Sequence, residues 1–171
     1  MRKSVLLMIL LFAVGMTASA QKFALIDMEY ILKNIPAYER ANEQLNQVSK
    51  KWQSEVEKVA EEAKTLYKNY QSEAVFLSEE QKGKKEEAIV AKEKEAAELR
   101  RTYFGPEGEL FKKRESLMQP IQDEIYNAVK EISEQKGYSV VVDRASATSI
   151  IFASPHIDIS NEVLAKLGYS N

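Results

Sequence analysis

Through the middle of the chain, apolar or small residues recur at steps of three or four. They fall at Tyr38, Ala41, Leu45, Val48, Trp52, Val56, Val59, Ala63, Leu66, Tyr70 and Ala74. Ten steps over 36 residues average 3.6, the period of a straight α-helix and not the 3.5 of a strict heptad. The pattern predicts one long helix after Pro36, with a stutter near Trp52 to Val59. At 1.5 Å per residue it reaches about 58 Å, so it must project from any small body. Val75-Phe76-Leu77 ends it, and Ser78-Glu79-Glu80-Gln81 has the S-x-x-Q form of a capping box that starts another helix. The second helix is mostly Lys, Glu and Ala from Gln81 to Tyr103. Its thin apolar stripe (Ala88 or Ile89, Ala91, Ala96, Leu99, Tyr103) suits a two-helix seam rather than a globular core. With the turn at 77–78, facing positions of an antiparallel hairpin bring Pro106 near Ser49 and Pro120 near Pro36. Gly105-Pro106-Glu107-Gly108 predicts a break or joint in the second strand of the hairpin. Pro36 and Pro120 predict a neck where both helices kink.

The ends of the chain read differently. Phe23-Ala24-Leu25-Ile26 is a short apolar strand closed by Asp27, an N-cap for a helical turn from Met28 to Leu32. Beyond Pro120, the positions Ile121, Ile125, Ala128, Val129 and Ile132 give a wider apolar face, and Gly137 is placed to cap the helix they lie on. Tyr138 to Asp143 and Ser149 to Ala153 read as two strands, joined by a loop short enough for a hairpin. Ser160 then caps a short helix stopped by Gly168. The fold class is therefore α+β. A small β-sheet or barrel body, residues 21–35 and 121–171, carries a long antiparallel helical hairpin, residues 36–120, with its tip near 77–78 and its break near 105–108. A body of about 65 residues is marginal alone, which points to a homo-oligomer joined through the sheet.

Composition adds a compartment. Arg2 and Lys3 precede an apolar run from Val5 to Met16 that ends in Ala18-Ser19-Ala20. That is the form of a secretory signal, residues 1–20, cleaved after Ala20, and it is too short to span a bilayer. The chain has no cysteine, so it carries neither a disulfide nor a thiolate metal site nor a lipidated Cys. Its formal charge of −2 becomes −4 once Arg2 and Lys3 leave with the leader, which argues against a nucleic-acid partner.

No enzyme chemistry emerges. His156 is the only histidine, and no metal-protease, phosphate-loop or nucleophile-elbow spacing occurs. Asp27, Asp143 and Asp158 sit at element ends, where capping and turn roles prevail. The expectation is no catalytic residue, no metal and no cofactor. The Lys/Glu runs read as solvated helix faces with i,i+4 support. Lys82, Lys84 and Lys85 cluster near the tip and suggest weak contact with a membrane surface. Apolar residues also gather there: Tyr67, Tyr70, Val75, Phe76, Leu77, Ile89 and Val90. A two-helix seam buries only a narrow stripe. Tyr67, Val75, Phe76, Leu77, Ile89 and Val90 are thus candidates for contact with an unfolded or amphipathic partner.

The pieces Ala24-Leu25-Ile26-Asp27-Met28, Gly137 to Asp143 and Asp158-Ile159-Ser160-Asn161-Glu162-Val163, set around a charged hairpin behind a signal peptide, resemble the OmpH/Skp family of periplasmic chaperones. The resemblance covers essentially the whole mature chain. It implies a trimer whose strands join in a central barrel, with three arms around a cavity that holds unfolded outer-membrane proteins without ATP. In that picture Phe23, Leu25, Ile26, Val140, Val142, Ile150 and Phe152 build the shared base. The neck at Pro36 and Pro120 and the joint at Gly105, Pro106 and Gly108 are read from the residues themselves, and the family plan does not require that joint. The alternative expectation is a structural adaptor of the cell envelope that docks one defined partner through its hairpin.

Overall fold

The computed structural model describes residues 22–169. The expected signal segment and its cleavage after Ala20 lie outside the described residues. The described chain divides into two compact units, one of residues 22–34 and 125–169, the other of residues 35–124.

In the first unit, β1 (Lys22–Ile26) leads into α1 (Met28–Lys33). Asp27 makes that junction. Its backbone is extended, and its carboxylate accepts the Tyr30 N–H at 2.8 Å, satisfying a donor that the first helical turn leaves unpaired. The C-terminal part of α4 (Glu109–Lys136), from residue 125 onward, follows in this unit, then β2 (Tyr138–Asp143) and α5 (Ser160–Lys166). Gly137, with φ of 71°, takes the left-handed conformation that ends α4 and turns the chain into β2. β1 and β2 pair in parallel, Phe23 opposite Val140 and Leu25 opposite Val142. A parallel pair requires a long crossover, and here the connection is everything from Asp27 to Gly137. Ala24, Leu25, Ile26, Ile31, Ile125, Ala128, Ile132, Ile159, Val163 and Leu164 are buried. Full burial of an Ile or Val such as Ile31, Ile125, Ile159 or Val163 stabilises by about 1.5–3 kcal/mol per side chain.

Two expectations fail in this unit. Ser149 to Ala153 forms no strand and no hairpin with β2. The chain curls after β2 instead: Arg144 N–H donates to the Ile26 carbonyl at 2.8 Å, and Ala147 N–H returns to the Asp143 carbonyl at 3.2 Å. A β-branched run has strand propensity, but without a neighbouring ladder that propensity is not realised. Ser160 is likewise not the cap of α5 but its first residue. Its own N–H is taken by the Asp158 carboxylate at 2.9 Å.

The second unit holds α2 (Pro36–Glu73), a 3₁₀ turn at Ala74–Phe76, α3 (Glu79–Phe104) and the start of α4. Both bonds of the expected capping box are present, Gln81 N–H to Ser78 Oγ at 3.3 Å and Ser78 N–H to Gln81 Oε1 at 2.9 Å. Along the hairpin Trp52 meets Tyr103, Glu62 meets Lys92, Tyr70 meets Glu86 and Glu73 meets Lys85. One partner's number falls as the other's rises. Ala41, Leu45, Val56 and Ala63 of α2 and Ile89 of α3 are buried. Ala91, expected on the stripe, is exposed. Lys92 lies on that side instead, held by Glu62 at 3.0 Å and Glu95 at 2.9 Å.

Gly105 to Gly108 interrupts the helices. Gly105 N–H still bonds Arg101 O, Gly108 N–H bonds Gly105 O, and Lys112 N–H picks up Gly108 O. Gly108 is buried, and a Cβ there would stand 2.7 Å from the Thr102 carbonyl oxygen and 2.9 Å from that of Tyr103. Pro36 is the first residue of α2, where its missing N–H removes no helical bond, so it opens that helix and does not kink it. Pro120 lies inside α4.

Candidate functional site

The tip of the hairpin is where apolar side chains are left over. The 3₁₀ turn presents Val75 at 83% and Phe76 at 86% exposure, while Leu77 beside them is half-buried. Val75 and Phe76 lie in the turn itself, past the end of α2 and before the start of α3, and nothing in the hairpin covers them. Tyr67 and Val90 are also exposed. Ile89 was expected both on the seam stripe, as the alternative to Ala88, and among the contact residues, and only the first holds. At 6% exposure it belongs to the seam and cannot meet a partner, since α3 rotates Ile89 inward and its neighbour Val90 outward.

Leu66 moves the other way. Periodicity places it on the seam, yet it is exposed and lines a shallow groove with Thr65 and the stems of Lys58 and Lys92. A second groove has Ala60, Ala63, Ala96 and Ala97 with Tyr67 at its edge. The signal for it was present: alanines on both helices leave a trough that no large side chain fills.

Lys82, Lys84 and Lys85 do not form a free basic patch. They pair with Glu79 at 2.7 Å, Glu80 at 2.6 Å and Glu73 respectively. Neutralised this way, they give the tip no local excess of positive charge with which to seek an anionic surface.

Polar bonds tie the two helices at spaced levels. Trp52 stacks on Tyr103 with ring centroids 4.9 Å apart and planes 5° from parallel, and the Tyr103 hydroxyl donates to Glu55 at 2.7 Å. Nearer the tip, the Tyr70 hydroxyl donates to Glu86. Each hydrogen bond to a carboxylate stabilises the protonated phenol, so both tyrosines titrate above the usual range. Glu95 and Glu62 raise Lys92 in the same manner.

In the first unit, Phe23 and Val140 lie opposite each other in register and both are exposed. Ile150 is partly exposed and Phe152 is 85% exposed, while Ile151 between them is fully open to solvent. Leu25 and Ile26 are buried within the chain itself, and Val142 is half-buried. Of the residues expected at a shared base, Phe23, Val140, Ile150 and Phe152 thus keep apolar surface to offer.

The three aspartates named from the sequence are consumed structurally. Asp27 pairs with Arg144 at 3.0 Å, and Asp158 pairs with the same guanidinium at 3.3 Å. Asp27 N–H donates to Ser160 Oγ at 2.8 Å, whose hydroxyl donates in turn to Asp158 at 2.6 Å. Asp143 accepts the N–H groups of Met28 and Ala145, both at 3.0 Å. Burial pushes its carboxyl up, but the bonds from Met28, Ser146 and Ala145 outweigh that and hold it below the usual carboxylate range. Backbone donors and an ion-paired arginine thus occupy these groups, and the arrangement joins β1, α1, β2 and α5. Among the described residues no group of three or more His, Cys, Asp or Glu is placed to hold a metal, and no helix is long and apolar enough to cross a membrane.

Comparison with known proteins gives a consistent result. The family described as Outer membrane protein (OmpH-like) matches residues 22–167. Chaperone protein Skp of Yersinia enterocolitica is 25% identical over 160 residues, covering 92% of this chain and 93% of that one. A solved OmpH-like structure from Caulobacter crescentus aligns with a TM-score of 0.69 at 12% identity, over 87% of this chain and 85% of the other. That last likeness is one of fold alone.

Proposed function

Since the chain belongs to the OmpH-like outer membrane protein family, we propose that it is an ATP-independent periplasmic holdase, which binds unfolded outer-membrane β-barrel proteins and prevents their aggregation. One observation carries the reading: the hairpin leaves Val75 and Phe76 almost wholly exposed at its turn, with Leu66, Tyr67 and Val90 exposed behind them. Dispersed apolar contacts on a charged, solvated helix pair suit many weak attachments to an unfolded chain and do not suit one defined ligand. Tyr67, Val75, Phe76, Leu77 and Val90 contact the client, and Leu66 joins them. Ile89 supports the seam beneath.

Phe23, Val140, Ile150 and Phe152 are the surface through which copies associate, as a trimer, with Ile151 added to them. The leader is cleaved after Ala20, which places the protein in the periplasm. Support for association comes from the apolar surface these residues keep in a single chain.

Light scattering of a urea-diluted outer-membrane protein tests the reading. A stoichiometric amount of trimer suppresses the scattering. If scattering is unchanged, the holdase reading fails. A pull-down from an envelope extract separates it from the adaptor role: many β-barrel proteins in the eluate support a holdase, and one stoichiometric partner supports an adaptor.

A further inference from the structure

Four of the glycines among the described residues have a structural reason. Gly137 and Gly168 adopt positive φ, and a Cβ at Gly105 or Gly108 would collide with backbone carbonyl oxygens. Gly83 has none. It is an exposed residue in the second turn of α3, its φ is not positive, and an added Cβ would have no atom within 4 Å. Such a residue only weakens its helix, because it adds backbone freedom to the unfolded segment and no packing to the folded one.

The burial pattern singles out the same region. The last buried residue of α2 is Ala63 and the first of α3 is Ile89. Among the described residues, none from 64 to 88 is buried. Tyr70, Ala74 and Leu77 are no more than half-buried, and the polar bonds in this stretch are the capping box of Ser78 and Gln81, the Lys85–Glu73 pair and the Tyr70–Glu86 bond. All are open to water, where each contributes little against the entropy of ordering two helix ends.

We infer that residues 64–88 form a separate, locally opening unit of the hairpin, loosened by Gly83, which unwinds while the hairpin below Ala63 and Ile89 stays closed. Unwinding frees Val75, Phe76 and Leu77 from the fixed geometry of the turn and lets them follow the surface of whatever they touch. Segments that lack buried contacts open at free energies well below that of global unfolding. The client side of this inference rests on the holdase reading. The opening itself is a property of the unbound protein.

Amide hydrogen exchange on the purified protein, with and without Gly83→Ala, decides it. The expected result is faster exchange of amides 82–88 than of 93–103 in the wild-type protein, and slowing of the tip amides by about fivefold in the variant. Equal protection along α3 overturns the inference, as does a variant whose tip exchange is unchanged. The scattering assay run on the same samples keeps the two claims apart: a protein that shows the exchange gradient but suppresses no aggregation retains the opening tip and loses the holdase reading.

Discussion

Within each unit, single residues make hydrogen bonds whose strength depends on protonation. Asp143 is the clearest case, because Met28 and Ala145 both donate to it from the backbone. Its folded value lies below the unfolded one of about 3.9. The stability it contributes is therefore complete above the unfolded value and is lost as pH falls through the folded value. Asp143→Ala leaves the Met28 N–H without this partner and should cost about 1–3 kcal/mol, read as a lower urea midpoint at neutral pH. Below both carboxyl values the difference between variant and wild type should narrow. Tyr70 and Tyr103 give the opposite sign. Their folded values are raised by Glu86 and Glu55, so the stabilisation is complete below the unfolded tyrosine value of about 10 and disappears as pH rises through the folded ones. Absorbance at the phenolate band should show two late-titrating tyrosines, and Glu55→Gln together with Glu86→Gln should return them toward the others.

At the scale of elements, the long helices were legible because their apolar spacing is a long, repeated signal, and the caps at Asp27, Ser78 and Gly137 were legible because each rests on local chemistry. Ser149 to Ala153 was not. Its composition favours a strand, but pairing is decided by a neighbour, and β2 finds its neighbour in β1, more than a hundred residues away in sequence. Leu66 left the seam for a related reason: a stripe of mean period 3.6 fixes which face is apolar but not which edge of it closes. The Gly105 to Gly108 break was evident from composition, whereas its packing was not. Because Gly108 is enclosed by the carbonyls of Thr102 and Tyr103, Gly108→Ala should destabilise the hairpin by about 1–3 kcal/mol, measured as a lower thermal midpoint of helical circular dichroism. A loose joint would accept that methyl group without loss.

For the molecule as a whole, the family is settled and the assembly is the open prediction. Phe152, Ile151 and Phe23 leave large apolar side chains in water, so Ile151→Ser with Phe152→Ser should shift the mass in solution from trimer toward monomer. Sedimentation of both proteins at several concentrations checks it, and a wild-type protein that runs as a monomer would exclude the shared base. Val75→Ser with Phe76→Ser should leave that mass unchanged while weakening suppression of aggregation. The stacked pair of Trp52 and Tyr103 has a further use in telling these events apart. Trp52 is the only tryptophan in the chain, and it lies in the hairpin unit. Its emission is an optical gauge of one unit alone, so a denaturant titration followed by fluorescence times the parting of α2 from α3, and sedimentation of the same samples times the parting of the subunits.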